Sequence, residues 1–92
     1  MNEALDSFYD ELEELEADFA WWQNHVEDLE LLDKVIDNSS SLLNRAGTCL
    51  GIDRKEQGRI CFTAYRINEK ALALFSKADM FKKIMKKTLE KV

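Results

Sequence analysis

The sequence predicts an all-α protein, an antiparallel helical hairpin of two long helices joined by a short one. Three observations carry that expectation. Proline is absent and glycine occurs only three times in 92 residues, which removes the turn chemistry that sandwiches and barrels depend on. Two long stretches repeat apolar residues in alternating steps of three and four, the period of helices that pack on other helices. The hydrophobic fraction is 46%, too high for a disordered chain. At this length the chain makes one domain, 1–92, with a modest core.

The first stripe is Leu5, Phe8, Leu12, Leu15, Phe19, Trp22, Val26 and Leu29, with Asp and Glu filling most positions between. No strand can use this spacing, so it predicts a helix over about 3–37, roughly 50 Å long. Past Leu29 the stripe slips to Leu32 and Ile36, widened by Leu31 and Val35. Asp37, Asn38, Ser39, Ser40 and Ser41 then interrupt it, because such side chains bond their own backbone and suit a cap or turn. A short helix over about 41–50 follows, capped by one of the serines. Asp53 and Glu56 have the spacing of a helix start. They open the second stripe: Ile60, Ala64, Ile67, Ala71, Leu74, Ala78, Phe81, Met85, Thr88 and Val92. This predicts one helix over about 54–91. Gly58 weakens it by about 1 kcal/mol, and Ser76 with Asp79 offers a place to kink.

Laid antiparallel with Leu5 opposite Thr88, the two stripes pair Leu15 with Ala78, Trp22 with Ala71 and Leu29 with Ala64, so bulky residues meet alanines. Asp18 then falls near Lys77 and Glu16 near Lys82. Phe62, Tyr65, Leu72, Phe75, Met80, Ile84 and Leu89 lie off the seam. Covering them takes a second hairpin, which predicts a four-helix bundle formed as a homodimer. The competing arrangement is a compact monomer in which one long helix breaks and folds back.

Charge is divided along the chain. Eighteen acids against thirteen bases leave a net −5, but residues 1–40 hold thirteen acids and one base, and residues 41–92 hold five acids and twelve bases. Part of this opposition is expected to be neutralised between the two long helices. The surplus lies on helix 1 away from its seam, at Glu3, Asp6, Asp10, Glu13, Glu14, Glu27 and Asp28, with Trp21 among them. An aromatic residue ringed by polar ones has the composition of an interface hot spot. A row of carboxylates imitates the phosphate spacing of nucleic acid. The sequence therefore predicts a non-enzymatic protein–protein interaction module. Asp6, Asp10, Glu13, Glu14, Trp21, Glu27 and Asp28 would dock on the basic surface of a nucleic-acid-handling protein. It would act as an inhibitor or regulator, in the manner of small accessory proteins of phages and plasmids. Two other readings compete. A dimer could bind nucleic acid through Lys82, Lys83, Lys86, Lys87 and Lys91, interleaved with Phe81, Ile84, Met85 and Leu89. A chaperone or assembly subunit could complete a bundle with another helix.

Catalytic chemistry has little support. His25 is the only histidine and lacks the orienting partner and pocket a general base needs. No nucleophile elbow, phosphate loop or metal-ligand spacing is present. Glu13 with Glu16, or Asp6 with Asp10, share a helix face but lack the histidine that carboxylate metal sites in bundles pair with them. No cofactor or metal is expected. Cys49 and Cys61 match no zinc or redox motif and are expected as free thiols. No apolar run is long enough to span a membrane, and the acidic start is neither a secretory signal nor a transit peptide. A cytoplasmic protein without membrane association is the expectation.

Overall fold

A computed structural model of the chain describes residues 3–90, and among them lie three helices and no strand: α1 (Glu3–Trp22), α2 (Leu29–Gly47) and α3 (Arg54–Glu90). The all-α class holds. The expected first helix does not run unbroken to residue 37. It ends at Trp22, and the chain reverses through residues 23–28 before α2 begins.

The break has a local cause. Asn24 and His25 donate their backbone N–H groups to the carbonyls of Trp21 and Trp22, at 3.1 and 2.8 Å. These are i to i−3 bonds that tighten the last turn of α1. His25 Nδ1 also lies 2.9 Å from the Trp21 carbonyl oxygen. Asp28 then caps α2, its carboxylate accepting from the Leu31 N–H at 3.1 Å, which satisfies one of the free donors at a helix start.

The expected interruption at residues 37–41 is absent, because α2 passes straight through it. Ser39 is fully buried, and its hydroxyl donates to the Ile36 carbonyl at 2.9 Å. Asn68 of α3 donates to the same carbonyl at 3.1 Å and to Ser39 Oγ at 2.9 Å. The serine is a bonded core residue, where the sequence suggested a cap. The short helix expected over 41–50 is the second half of α2. Its C-terminal carbonyls are closed by α3: Gln57 Nε2 donates to Ala46, Gly47 and Cys49 at 2.8, 3.2 and 3.2 Å.

These bonds set the topology. Gln57 reaches Ala46 and Asn68 reaches Ser39, so α2 runs antiparallel to α3. The Tyr9 hydroxyl donates to the Glu56 carboxylate, and Phe19 and Gln23 share a groove with Thr63, Ile67 and Lys70, so α1 runs parallel to α3. The antiparallel register expected between the first and last stripes is thereby overturned. Glu16 faces Arg66 and Lys70, and Asp18 lies on the side of Asn38 and Arg45. Neither approaches the lysine expected for it.

The core forms where the three helices overlap: Phe8, Leu12, Leu15, Phe19 and Trp22 from α1, Leu32, Val35, Leu42 and Ala46 from α2, and Ile60, Ala64, Ile67 and Ala71 from α3. Ala46, Ala64 and Ala71 are completely buried, and their small size lets the helix axes approach. By contrast α3 has 37 residues against 20 and 19 for its neighbours. At 1.5 Å per residue it is about 25 Å longer than either. Its start is level with the end of α2, so the excess projects past the α1–α2 turn. Every described side chain from Met80 to Leu89 is exposed. The molecule measures 62 × 21 × 14 Å, its long axis set by α3. The helix is continuous through Ser76 and Asp79, where a kink had been the alternative.

Candidate interaction surface

Since Phe8, Leu12, Leu15, Phe19 and Trp22 mark the inward face of α1, the opposite face follows from the 3.6-residue turn. It carries Asp6, Asp10, Glu13 and Trp21, all exposed. From Asp6 to Trp21 this stripe runs about 22 Å. No Lys or Arg occurs between residues 3 and 22, so nothing on α1 itself offsets its charge.

Trp21 closes the stripe at the α1–α2 turn. Its side chain is 49% exposed and stacks on the His25 ring, with centroids 3.5 Å apart and planes 4° from parallel. The stack favours one orientation of the indole, which lowers the entropy an aromatic anchor loses on binding. It also occupies His25, whose Nδ1 is already engaged by the Trp21 carbonyl.

Other sequence candidates separate from this stripe. Glu14 turns toward α2, beside Glu11, Asp18 and Arg45. Arg45 forms a two-pronged ion pair with Glu11, at 2.7 and 2.9 Å, which fastens α1 to α2. That hydrogen-bonded pairing also raises the pKa of the guanidinium above its ordinary value. Glu27 lies in the turn, against a groove of about 610 Å³ that includes Trp22, Val26, Leu74, Ala78 and Phe81. Asp28 is the helix cap, so its carboxylate already serves the fold. The seven acidic and aromatic candidates thus resolve into one outward stripe of four, a flank residue, a groove residue and a cap.

The basic end departs furthest from expectation. Lys82, Lys83, Lys86 and Lys87 are exposed on the projecting part of α3, beyond the reach of the α1 carboxylates they had been expected to neutralise. Lys83 pairs within its own helix with Asp79 at 3.3 Å. Lys91 lies outside the described residues. On the same segment Met80, Phe81, Ile84, Met85 and Leu89 are 63%, 65%, 55%, 46% and 70% exposed.

Two features were missed by sequence reasoning. Tyr9 bonds Glu56, the residue read as part of a helix start, and this bond raises the tyrosine pKa above its ordinary value. Val26, placed on the stripe by spacing, is 56% exposed because the helix has ended before it. No spacing signal marks either one.

Among the described residues no group of three or more His, Cys, Asp or Glu side chains is arranged to hold a metal ion. Cys49 and Cys61 are free thiols. No described helix is long and apolar enough to cross a membrane. Comparison with family models, with curated proteins and with solved structures gives no match.

Proposed function

We propose that the chain is a non-enzymatic helical interaction module that docks the outward face of α1 onto a basic surface of a nucleic-acid-handling protein, regulating it by occlusion. One observation carries the reading. Asp6, Asp10, Glu13 and Trp21 share one exposed face, and its carboxylates take no part in the ion pairs seen among the described residues, Arg45–Glu11 and Lys83–Asp79. A row of like charges costs self-repulsion unless something opposite meets it. Steering by such a row is salt-sensitive, and the aromatic end supplies the apolar anchor.

The test uses the tagged full chain as bait in an extract of its own host at low and high salt, followed by mass spectrometry. A triple variant, Asp6→Lys, Asp10→Lys and Glu13→Lys, should lose the proteins that the parent captures at low salt, and Trp21→Ala should weaken capture at least tenfold. An identical captured set for parent and variant, or capture indifferent to salt, rejects the reading.

A second reading has one observation in its favour: the α3 lysines are clear of the α1 acids. On that reading the projecting helix binds nucleic acid. A mobility-shift series on generic DNA and RNA should then show affinity falling steeply with salt.

Self-association belongs to the main reading. Phe62, Tyr65 and Leu72 on α3 are 62%, 47% and 46% exposed, in addition to the projecting segment. Apolar surface on this scale is characteristic of interaction sites, and a symmetric pair of chains is the simplest way to cover it.

A further inference from the structure

We infer that residues 77–90 of α3 form a dimerisation arm, which lies antiparallel along the same arm of a second copy and seats its tip in that copy's groove at the α1–α2 turn. This rests on the self-association reading and adds to it the surface, the orientation and the register.

The first ground is continuity. The inward stripe of α3 is buried at Ile60, Ala64, Ile67 and Ala71, half-buried at Leu74 and Ala78, then exposed at Phe81 and Met85. Neither the spacing nor the helix changes along this line. The chain's own helices cover the stripe as far as they reach, and past Phe81, which still borders Trp22 and Val26 across the groove, no described helix of this chain lies beside it. A helix that carries a core pattern into solvent has the form of half an interface.

The second ground is area. On the face of this stripe Phe81 and Met85, with Leu89 beside them, are 65%, 46% and 70% exposed and offer on the order of 350 Å², a large part of the roughly 800 Å² that each partner gives to a standard interface. The groove lined by Trp22, Val26, Leu29, Leu74 and Ala78 beside Phe81 adds the surface that the partner's tip covers. A nucleic acid on the lysines would leave these side chains wet; a second apolar helix removes them from water.

The third ground is charge, which also chooses the orientation. Residues 23–33, the α1–α2 turn and the start of α2, hold four acids (Glu27, Asp28, Glu30 and Asp33) and neither Lys nor Arg. Residues 77–87 hold five lysines and one acid, Asp79. Within one chain only Lys77 and Lys82 share the groove with Glu27, and Lys83, Lys86 and Lys87 lead away from that acidic end. A parallel pair would lay lysine beside lysine with only Asp79 of each arm among them. An antiparallel pair brings each basic arm back over the acidic end of the other copy. Setting Phe81 level with Met85 of the second copy keeps the stripes in register. It carries Lys86 to the level of Glu27 and Leu89 to the mouth of the groove.

Sedimentation equilibrium on the full chain at micromolar concentration tests this. The expected mass is twice the 10.7 kDa of the chain. Phe81→Asp with Met85→Asp should return it to the single-chain mass with its helical circular dichroism unchanged, since both residues are exposed. Glu27→Lys should raise the dimer dissociation constant at least tenfold, and adding Lys86→Glu should restore it. A parent of single-chain mass overturns both self-association and the arm. A dimer that survives the paired aspartates, or a charge swap without rescue, overturns the arm and leaves self-association standing. The α1 triple variant should keep the dimer mass, so loss of its partner proteins is read separately.

Discussion

Replacing Asp28 by alanine tests what ends one helix and starts the next. The Asp28 carboxylate accepts the Leu31 N–H at 3.1 Å, and loss of such a cap costs about 1 kcal/mol. The same carboxylate sits at the positive end of the α2 dipole, adding roughly 0.5 kcal/mol for a half-exposed group. Removing both should destabilise the chain by about 1.5 kcal/mol, with each kcal/mol lowering the melting temperature by about 4–8 °C. It should not straighten the turn. Continuing α1 into α2 would withdraw Phe8, Leu12, Leu15, Phe19 and Trp22 from the core, and at about 1.5–3 kcal/mol for each buried side chain this loss is on the order of 10 kcal/mol. Thermal unfolding by circular dichroism gives the destabilisation. Tryptophan emission at 25 °C reports on the turn, because Trp22 is only 4% exposed and should keep its blue-shifted component. Asp28→Asn retains the capping oxygen but not the charge, and should lose only the dipole contribution of roughly 0.5 kcal/mol. A melting temperature unchanged by Asp28→Ala, an asparagine as damaging as alanine, or a red shift of the emission would each refute the account of the turn.

Asn68→Ala removes two hydrogen bonds between α3 and α2 and should cost roughly 2 kcal/mol in urea unfolding, whereas Ser39→Ala leaves the Asn68–Ile36 bond in place and should cost under about 1 kcal/mol. Gly58 lies in α3 with open space where a Cβ would stand, so Gly58→Ala should stabilise by about 0.5–1 kcal/mol; destabilisation would mean that this turn is not helical. The Tyr9 pKa is raised, first by its hydrogen bond to Glu56. The stability from that bond is therefore complete below pH 10 and declines as pH rises through the higher folded value. The difference between the parent and Tyr9→Phe, measured by urea unfolding across alkaline pH, should shrink in that window and stay constant below it.

Much of the candidate surface could be read from the residues. Asp6, Asp10, Glu13 and Trp21 needed only the helical period to be placed opposite Phe8, Leu12, Leu15 and Phe19, because one turn geometry governs both faces. Glu14 and Asp28 needed neighbours in space. Glu14 is drawn to the α2 side by the position of that helix, and Asp28 is a cap only because the chain reverses before it. Ser39 shows the same limit from the other side. Its hydroxyl suits a cap when considered alone, yet it is fully buried where Asn68, 29 residues away, reaches it.

The period of three and four determined that these segments are helical and which face of each is apolar, since a stripe at that spacing has no other use. It favoured one helix over the last stripe but left a kink at Ser76 and Asp79 open, and only the structure shows α3 continuous there. The period could not say that the first stripe belongs to one short helix and a turn. Trp22, Val26 and Leu29 keep the spacing whether or not the helix continues, and the local difference between the two states is about the 1 kcal/mol of a cap. The tertiary structure settles it through burial on the order of 10 kcal/mol, won only when α1 and α2 fold back side by side on α3. That fold makes α1 parallel to α3, leaves the lysines beyond the acids, and carries the last apolar turns of α3 out past the bundle.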